Sequence, residues 1–596
     1  FQMAVVENGS ATYLSGAPVT GSFFDVLGVG PVVGRALRPA DDRVGAENVI
    51  VLTHRVWRRR YGGADVIGRR LMVGKQPFTI VGVMPPPFDF PSTEADVWVP
   101  ISLLGCDNVP CGRGSRFMNV VGRLAPGATL ATTRAETNTI LERLESAYPE
   151  TNERRGVATV IPLQESVVGD VRPALLILLG AVALVLLIAC VNVANLLLAR
   201  GAMRGREFAI RAALGAGRSR VVRQLLTESI TLALAGGALG FVLAFRGIDV
   251  IVALSAGSIP RWYEIQPDVR VAAFALAASI LTGVLFGLLP SLSASRIDVH
   301  DSLNAGGRSG AEGGRPAHTR GLLIVAEMAL AVVLLTGAGL FIRTFWNLTR
   351  VDTGFRAENV LSLSINMSAD VMGGEQRNAY RREIIRRIEN LRGVLAAGGS
   401  TMIPLHGVGE YYSFSLPEDV APITPETHIV TGDYFRALGI PLLEGRLFTE
   451  ADENDEALVL IMNQVLARRY WPDQSPVGEI LRLFGEDEVR IVGVVGNVRH
   501  NGIAQAAGPA VYVLPHFGGR RSMNLFVRTA SDPLPMANAI QQAIWDVNPN
   551  QPVSRITTMR QVISGTVREP RFLTLLLAGF AALAVVLAAL GVYGVT

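Results

Sequence analysis

The sequence has 596 residues, of which 49% are hydrophobic, and its mean hydropathy is +0.34. A chain of this length exceeds one domain, and this composition is too apolar for an ordinary soluble protein. The net charge is only +4, and scattered Arg residues supply nearly all of the basic charge, with Lys75 as the only Lys. Nothing here indicates a nucleic-acid partner.

The first 172 residues are predicted to fold as mixed α and β structure. The alternating run FTIVGVM, which starts at Phe78, is typical of a strand. The run ATTRAETNTILERLESA predicts an amphipathic helix with Ile140, Leu144 and Ala147 on one face. Glycine and proline mark the joins between these elements.

Five hydrophobic stretches predict membrane-spanning helices. The first carries no charge from 173 to 199, which exceeds the roughly 20 residues that a helix needs to cross the hydrocarbon core. Buried core helices are the alternative, but their apolar runs reach only about 10 to 14 residues. The predicted spans are 173–199, 230–254, 271–292, 321–342 and a stretch from 572 to 596.

Arginine bias orients these spans. The loop 200–224 contains several Arg residues against the single acid Glu207, and the loop 293–320 is also rich in Arg. Because positively charged loops stay in the cytosol, both loops are predicted to be cytosolic. Residues 1–172 and 343–571 are then extracytoplasmic, and we expect a multi-pass protein of a bacterial plasma (inner) membrane.

The ends of the sequence suggest a fragment. It begins at Phe1 without an export signal or a preceding span, and it stops at Thr596 inside a hydrophobic run without a flanking charge. We therefore expect a longer natural protein with more than these spans.

A long internal repeat links the two outer segments. The run GSFFDVLGVGPVVGRALRPADD, from Gly21, returns as GDYFRALGIPLLEGRLFTEADE, from Gly432. Repeats of solenoid proteins run only about 20 to 50 residues, so this repeat indicates a gene duplication and one fold shared by both segments. The same offset aligns Arg35 with Arg446 and Gly82 with Gly493.

No catalytic or metal-binding constellation is visible in the sequence. The His residues lack metal-ligand spacing, and no Ser lies in a nucleophile elbow. The run GRRLMVGKQ (68–76) fails as a phosphate loop because its glycines are too far apart and Gln76 replaces the Ser or Thr that would hold the metal. We expect no enzyme activity, no cofactor and no metal in this chain.

The stretch RGREFAIRAALGAGRSRVVRQLLTESITLALAGGALG (204–240) resembles the signature of FtsX-like permeases. The outer segments resemble the MacB-type extracytoplasmic core domain, and the whole resembles the duplicated orphan ABC permeases of Acidobacteria. That arrangement implies eight spans, so this chain lacks the first span of the first repeat and the last two of the second. The second copy of the signature is therefore not visible.

The resemblance also implies the domain organisation, which combines membrane α-helices with two α+β extracytoplasmic domains. Each outer domain would have two lobes: a strand-rich insertion (18–101 and 429–515) and a βα lobe (102–170, and 358–428 with 516–568). The implied domains are a first core domain (1–172), an FtsX-like transmembrane region (173–342), a second core domain (343–571) and the first span of a second transmembrane region (572–596).

The cytosolic stretch 204–217 is the candidate site of ATPase coupling. Glu207 and Arg211 are four positions apart on one helical face, and glycines end the helix before Val221 resumes it. Anchoring to anionic lipid is the alternative, but the apolar positions would then lack a partner. The predicted coupling residues are Arg204, Arg206, Glu207, Ile210, Arg211, Leu214, Gly215 and Ala216.

Two features lie inside the predicted spans. Glycine pairs four positions apart predict close helix packing in the second and third spans. Glu327, in the fourth span, is a functional candidate by its membrane depth, but we expect it to snorkel toward the cytosolic interface near Arg320. The predicted packing glycines are Gly236, Gly240, Gly283 and Gly287.

The sequence has three cysteines. Cys106 and Cys111 fall in the extracytoplasmic run GCDNVPCGR, and we expect them to form a disulfide in this oxidising compartment. A shared zinc site is the weaker alternative because no further Cys pair or nearby His completes four ligands. Cys190, in the first span, should be unpaired.

These features predict the permease subunit of an ABC transporter, with a separate cytosolic ATPase and the lipid bilayer as partners. The spans hold almost no ionisable group at mid-membrane depth, so we expect them to transmit force to the outer domains instead of conducting cargo. An FtsX-type regulator of an envelope partner, such as a cell-wall hydrolase, is the alternative, and a membrane-anchored enzyme is a third. A periplasmic or outer-membrane partner stays open.

Overall fold

The computed structural model divides into two compact units. One contains Phe1–Leu163 and Val351–Thr566, and the other contains Gln164–Arg350 and Val567–Thr596. The two outer segments therefore share one unit, as the predicted topology requires. The structure describes every residue except 1, 8–9, 44, 74–75, 87, 93–94, 105–117, 150–156, 170, 204–217, 256–267, 295–313, 368–373, 408, 417–421, 455–457, 484–486, 518–521, 550 and 594–596.

The first outer segment is built around one sheet. Its described elements are β1 (Gln2–Glu7), β2 (Ser10–Val19), α1 (Phe23–Leu27), β3 (Val33–Gly34), β4 (Val49–Leu52), α2 (His54–Tyr61), β5 (Arg70–Val73), β6 (Gln76–Val83), β7 (Val97–Pro100) and α3 (Leu130–Ala147). The strand order is β3-β6-β4-β7-β2-β1-β5, in which β4 runs parallel to β6. All four residues of β4 are buried, because the strand lies between two others and is covered on both faces.

Helix α3 forms where the sequence predicts it but buries none of its side chains. Thr129 caps its first turn by accepting a hydrogen bond from the backbone N–H of Thr132 at 3.2 Å. Ile140, on the predicted apolar face, is 49% exposed. The described residues from 118 to 149 include no strand, so the βα lobe implied for the first domain is represented there by this helix.

The next part of the chain is helical. It comprises α4 (Leu163–Val168), α5 (Arg172–Met203), α6 (Arg218–Ser255), α7 (Val269–Ala294) and α8 (Gly314–Thr349). Helices α5, α6 and α8 are long and apolar enough to cross a membrane, and the described part of α7 is apolar but shorter. Four predicted spans thus coincide with four helices.

The second outer segment carries a larger sheet. Its elements are β8 (Val360–Asn366), α9 (Gly374–Glu389), β9 (Val394–Ser400), β10 (Glu410–Tyr411), β11 (Phe414–Ser415), β12 (Glu426–Gly432), α10 (Tyr434–Leu438), β13 (Leu442–Gly445), α11 (Glu450–Asn454), β14 (Val459–Asn463), α12 (Gln464–Tyr470), β15 (Ile480–Leu483), β16 (Asp487–Val495), β17 (Ala510–Val513), β18 (Ser522–Thr529), α13 (Ala537–Trp545), β19 (Val553–Thr558) and α14 (Met559–Thr566). The strand order is β11-β15-β16-β14-β17-β12-β9-β18-β8-β19.

This second segment has the two predicted lobes, and strand β12 belongs to both. Glu426 to Ile429 pair with β17 of the insertion lobe, whereas Val430 to Gly432 pair with β9 of the βα lobe. Each lobe has its own apolar core, one around Leu460 and the other where α9 and α13 cover β8, β9 and β18. Strands β10 and β11 join the insertion sheet, although the resemblance assigned their residues to the βα lobe.

The duplication is visible in the strand ladders. In the first segment, the parallel pair β4–β6 shifts register where Val51 faces Gly82. In the second segment, the parallel pair β14–β16 shifts where Ile461 faces Gly493. A Cβ on Gly82 would collide with the backbone of Arg35, and a Cβ on Gly493 would collide with the backbone of Arg446. Both register shifts therefore require glycine at that point.

The last helix, α15 (Arg568–Tyr593), is also long and apolar enough to span a membrane. It packs with α5 and α8 around a core made mainly of alanine and leucine. Small side chains allow helix backbones to approach closely in a membrane, where packing replaces the hydrophobic effect. The core residues include Ala181, Ile188, Ala331, Leu334, Ala581 and Ala584.

Candidate functional site

The predicted coupling segment lies outside the described residues. Helix α5 ends at Met203 and α6 begins at Arg218, so described helices flank the segment on both sides. Its role in ATPase coupling stays a prediction. The residues concerned are Arg204, Arg206, Glu207, Ile210, Arg211, Leu214, Gly215 and Ala216.

Two of the three cysteines also lie outside the described residues. Cys106 and Cys111 belong to the range 105–117, so their disulfide stays a prediction. Cys190 is a free, buried thiol in α5, which confirms that part of the expectation.

The helices α6 and α7 pack closely, and the predicted Gly283 lies in this contact. A Cβ on Gly283 would lie 3.0 Å from Cβ of Ala233, and a Cβ on Gly237 would collide with the Ser279 hydroxyl. Gly236 and Gly240 have open space beside them and take no part in this contact. The glycine of α6 in this contact is thus Gly237, the neighbour of the predicted Gly236. The surroundings of Gly287 lie outside the described residues.

Glu327 does not snorkel toward the interface, and the expectation that it does is wrong. Its side chain is only 1% exposed, and it lies where α5, α8 and α15 meet. Both of its oxygens and Oδ1 of Asn192 converge on Gly591, where an added Cβ would collide with all three. Nδ2 of Asn192 donates to the carbonyl oxygen of Leu587 at 2.8 Å. Gly591 thus provides the space for these side chains, and neither oxygen of Glu327 has a hydrogen-bond partner among the described residues.

Asn195 extends this polar cluster by one helical turn. It is 1% exposed, and neither polar atom of its side chain has a hydrogen-bond partner among the described residues. Asn192 and Asn195 are three positions apart on one face of an otherwise apolar span. That spacing was a signal in the sequence, and the sequence reasoning missed it.

An Arg–Asp ion pair occurs at the same place in both insertion lobes. The guanidinium of Arg35 donates to both oxygens of Asp41, at 2.6 and 2.9 Å. Arg446 donates to both oxygens of Asp452 at 2.5 and 2.7 Å, and the Thr449 backbone N–H and hydroxyl also donate to that carboxylate. The hydrogen bond from Arg446 is the largest cause that lowers the pKa of Asp452, to about 2.

A tyrosine of the first outer segment bonds to the second segment. The hydroxyl of Tyr13, on β2, accepts from the backbone N–H of Asn366 at 2.8 Å and donates to the carbonyl oxygen of Pro552 at 2.8 Å. Nε2 of Gln551 donates to the same hydroxyl at 3.2 Å. Burial raises the pKa of Tyr13 to about 12. Nothing in the sequence around Tyr13 signals this contact.

The described residues contain no group of three or more His, Cys, Asp or Glu side chains that could hold a metal ion. The polar features of the part of the chain that is described are thus helix contacts, ion pairs and interdomain hydrogen bonds.

Two family models match this chain. The model described as MacB-like periplasmic core domain matches residues 2–140 and 322–544, and the model described as FtsX-like permease C-terminal matches residues 179–299. Fold and matches together define an ABC-transporter permease. The chain belongs to the MacB-like and FtsX-like permease family, and it is a multi-pass inner-membrane protein with large extracytoplasmic domains.

Two similar proteins are named as exporters. The macrolide export ATP-binding/permease protein MacB of Shewanella oneidensis is 30% identical over 40% of this chain and 35% of its own length. The pyoverdine export ATP-binding/permease protein PvdT of Pseudomonas syringae pv. tomato is 28% identical over 43% of this chain and 38% of its own length. The chain therefore spans well under half the length of these curated relatives.

Solved structures that resemble the chain are extracytoplasmic domains. The periplasmic region of MacB from Actinobacillus actinomycetemcomitans matches 37% of this chain and 97% of its own, with 12% identity and a TM-score of 0.26. The extracellular domain of the noncanonic ABC-type transporter YknZ from Gram-positive bacteria matches 33% of this chain and all of its own, with 17% identity and a TM-score of 0.24.

Proposed function

We propose that this chain is a permease subunit that transmits movement from a separate cytosolic ATPase to its two outer domains. The observation that carries the proposal is the continuity between helices and outer unit. Helix α8 ends at Thr349, two residues before the outer unit resumes, and α14 ends at Thr566, two residues before α15 begins. Connectors this short restrict independent movement, so we expect a shift of a helix end to move the adjoining part of the outer unit.

The interior of the helical unit also supports mechanical work over conduction. A hydrophilic route needs polar or ionisable groups along a cavity, because charge at mid-membrane depth is costly. The buried polar side chains described in α5, α6 and α8 are Asn192, Asn195, Ser229 and Glu327. Those at the α5–α8–α15 contact lie between closely packed helices and line no path.

A crosslinking experiment tests the mechanical proposal. Cysteines replace Tyr13 and Asn366 in a cysteine-free background, and a short bismaleimide reports their separation in membranes that contain the ATPase. We expect the yield to change when ATP is added. Cysteines at Ser364 and Asn524, whose side chains are 2.6 Å apart within the second domain, are the control that should not respond. Equal yields for both pairs under all nucleotide conditions, with cargo crosslinks to the spans, would overturn the proposal.

The proposed docking surface for the ATPase is the segment 204–217. Glu207→Arg combined with Arg211→Glu reverses the pair that shares a helical face, and we expect the chain to insert normally but to stimulate the ATPase less. The control is Gln224→Glu combined with Glu228→Gln, which exchanges the two side chains of an exposed i,i+4 pair on α6. Undiminished stimulation by the reversed segment would remove this docking site.

The names of the relatives favour export as the biological outcome, with a small molecule or envelope component as cargo. Activation of an envelope partner, such as a cell-wall hydrolase, is the competing outcome for the same movement. Transport assays with the full-length complex in vesicles separate the two, since only an exporter depletes the cargo from one side.

A further inference from the structure

A buried pair of histidines in the second outer domain has no role in the proposed function. The rings of His428, on β12, and His500, on the loop after β16, stack with centroids 3.6 Å apart and an interplanar angle of 25°. Their exposed fractions are 1% and 5%. Two imidazoles that are this close and this far from water do not both carry a positive charge. The neutral pair therefore binds at most one additional proton.

A carboxylate lies beside the pair. Glu426 is 6% exposed, and its Oε1 is 3.3 Å from Nε2 of His428. Neither ring nitrogen of His428 has an aligned hydrogen-bond partner among the described residues, whereas Nε2 of His500 is 3.1 Å from the hydroxyl of Tyr512. A proton that arrives on the pair therefore finds a counter-ion at contact distance.

The same carboxylate holds the loop that carries His500. Its Oε1 accepts from the backbone N–H of Gly409 at 2.9 Å, and its Oε2 accepts from Nδ2 of Asn501 at 3.0 Å. Burial acts to raise the pKa of Glu426, but His428 and these two hydrogen bonds outweigh burial and lower it. If Glu426 turns toward a protonated His428, it gives up part of its hold on Asn501.

The loop in turn holds the segment that follows α8. The backbone N–H of Arg499 donates to the carbonyl oxygen of Thr353 at 3.1 Å, and its Nε donates to that of Asp352 at 3.2 Å. The backbone of Asn497 lies so close to Gly354 that no Cβ would fit there. Residues 352–354 are the connector between a membrane helix and the outer unit, so a change in the loop reaches that connector.

The first outer domain has apolar side chains at the matching position. The ladder places Ala17 opposite Trp98, as it places His428 opposite Tyr512. The Trp98 ring packs on Phe88 with centroids 5.2 Å apart. At these two register positions the first domain has no group that changes charge, and it provides an internal control.

Other ionisable side chains surround the pair. Burial raises the pKa of Tyr512 well above its ordinary value, and burial, with His428 as the second cause, lowers the pKa of His500 well below its own. Imidazole is the side chain whose ordinary pKa lies in the mildly acidic range. Ionisable groups on elements packed against β12 and the loop include Glu410 and Tyr411 on β10, Tyr434 on α10, Glu453 on α11, Arg499 on the loop, Tyr512 on β17, His516 in the turn after β17, and Arg381 and Glu389 on α9.

We propose that His428 and His500 form a proton-binding site, with Glu426 as counter-ion, whose occupation loosens the connector 352–354. The second outer domain then responds to acid outside the cytoplasm, whether or not the chain transmits force. The sign follows from linkage. Burial disfavours the proton on His500 while the site is closed, so His500 binds the proton better once the site opens. The closed site therefore loses stability as pH falls below about 6.5.

Hydrogen exchange of the full-length protein in nanodiscs tests this proposal. Peptides that cover 351–356 and 496–503 are compared at about pH 7.5 and about pH 5.5, after correction for the intrinsic exchange rate. We expect exchange at least about threefold faster at the lower pH in both peptides, and no change in the peptide 95–100 of the first domain.

His428→Gln and His500→Gln should each abolish this response, whereas His516→Gln, at an exposed histidine outside the pair, should keep it. Exchange at the imidazole C2 position titrates each histidine in the unmodified protein, so the test survives if a variant fails to fold. An unresponsive wild-type connector, a response retained in either pair variant, or two independent titrations of His428 and His500 would each overturn the proposal.

Discussion

The Arg–Asp pairs stabilise the same turn in both insertion lobes. Arg446 also donates to the carbonyl oxygen of Leu447 at 3.1 Å, and Arg35 donates to that of Ala36 at the same distance. Each guanidinium therefore closes the turn after its short edge strand and fixes the helix or turn that follows. Bidentate geometry of this kind is stronger than an ordinary surface pair.

The first prediction concerns the acid dependence of this turn. Because the pKa of Asp452 is lowered to about 2, the pair stabilises the fold above the ordinary Asp value and is lost as pH falls from about 5 toward 2. Asp452→Asn should lower the local opening free energy at neutral pH by about 1 kcal/mol, after allowance for the exposed Arg446.

Hydrogen exchange of peptides covering 445–453 at neutral pH and near pH 3 measures this difference. The difference between the variant and the wild-type protein should be smaller at the lower pH, where Asp452 is largely protonated in the opened state. Asp41→Asn, in the first lobe, is the parallel substitution and should leave the 445–453 peptides unchanged. A difference that is equally large at both pH values would contradict the role assigned to the ionised carboxylate.

The second prediction concerns the two extracytoplasmic cysteines. Cys106 and Cys111 should be joined in the protein purified from membranes, since the compartment is oxidising. Peptide mass mapping without reduction should find one crosslinked species, and Cys190 should react with a thiol reagent only after unfolding. Two free thiols in this loop under non-reducing conditions would reject the disulfide.

At the level of elements, helix α15 depends on a glycine for its fit. Gly591 faces both oxygens of Glu327 and Oδ1 of Asn192, whereas Gly579, on the same helix, has nothing within 4 Å of its Cβ position. The two glycines have the same helix propensity cost, so a comparison of their substitutions isolates packing at the polar cluster.

The third prediction follows from this comparison. Gly591→Ala should destabilise the helical unit by about 1 to 3 kcal/mol, because the methyl group forces α15 away from α5 and α8. Gly579→Ala should change stability by less than about 0.5 kcal/mol or raise it slightly. Thermal unfolding in detergent micelles provides the measurement. Equal effects of the two substitutions would show that the polar cluster is not closely packed.

Much of the helical unit was predictable because a long uncharged run has few stable alternatives to a spanning helix. Each predicted span coincides with a helix, and the repeat places Arg35 and Arg446 at equivalent turns. The contacts of Glu327 were not predictable, since they depend on how α5, α8 and α15 pack across large sequence separations. The error over Gly236 and Gly240 has the same origin: spacing identifies a face but not which neighbour covers it.

At the scale of the whole molecule, the Tyr13 hydroxyl joins the two outer segments through hydrogen bonds to Asn366, Gln551 and Pro552. Its partners are Asn366, at the end of β8, and Pro552, directly before β19, so the first segment contacts the second at the edge of that sheet. Neither partner lies near Tyr13 in sequence, so no local pattern could predict this contact.

The fourth prediction tests that contact. Tyr13→Phe leaves the Asn366 N–H without its acceptor, so the interface should weaken by about 1 to 2 kcal/mol, and peptides covering 360–366 should exchange hydrogen faster. Tyr470, in the second insertion lobe, packs its ring edge-on against Trp471. Tyr470→Phe removes a tyrosine hydroxyl away from this contact and should leave those peptides unchanged. Identical protection of 360–366 in both variants would show that this hydroxyl does not join the domains.

The single strand β12 runs through both lobes of the second outer domain, and this restricts how they can deform. Sliding one lobe along the other would break backbone hydrogen bonds on both sides of one continuous strand, whereas twisting about the strand axis strains them only slightly. We therefore expect the two lobes to resist sliding past each other more than they resist twisting about β12. A push from a membrane helix at one lobe would emerge from the other as a rotation, so the angle between the lobes, and not their separation, is the quantity to follow during ATP hydrolysis.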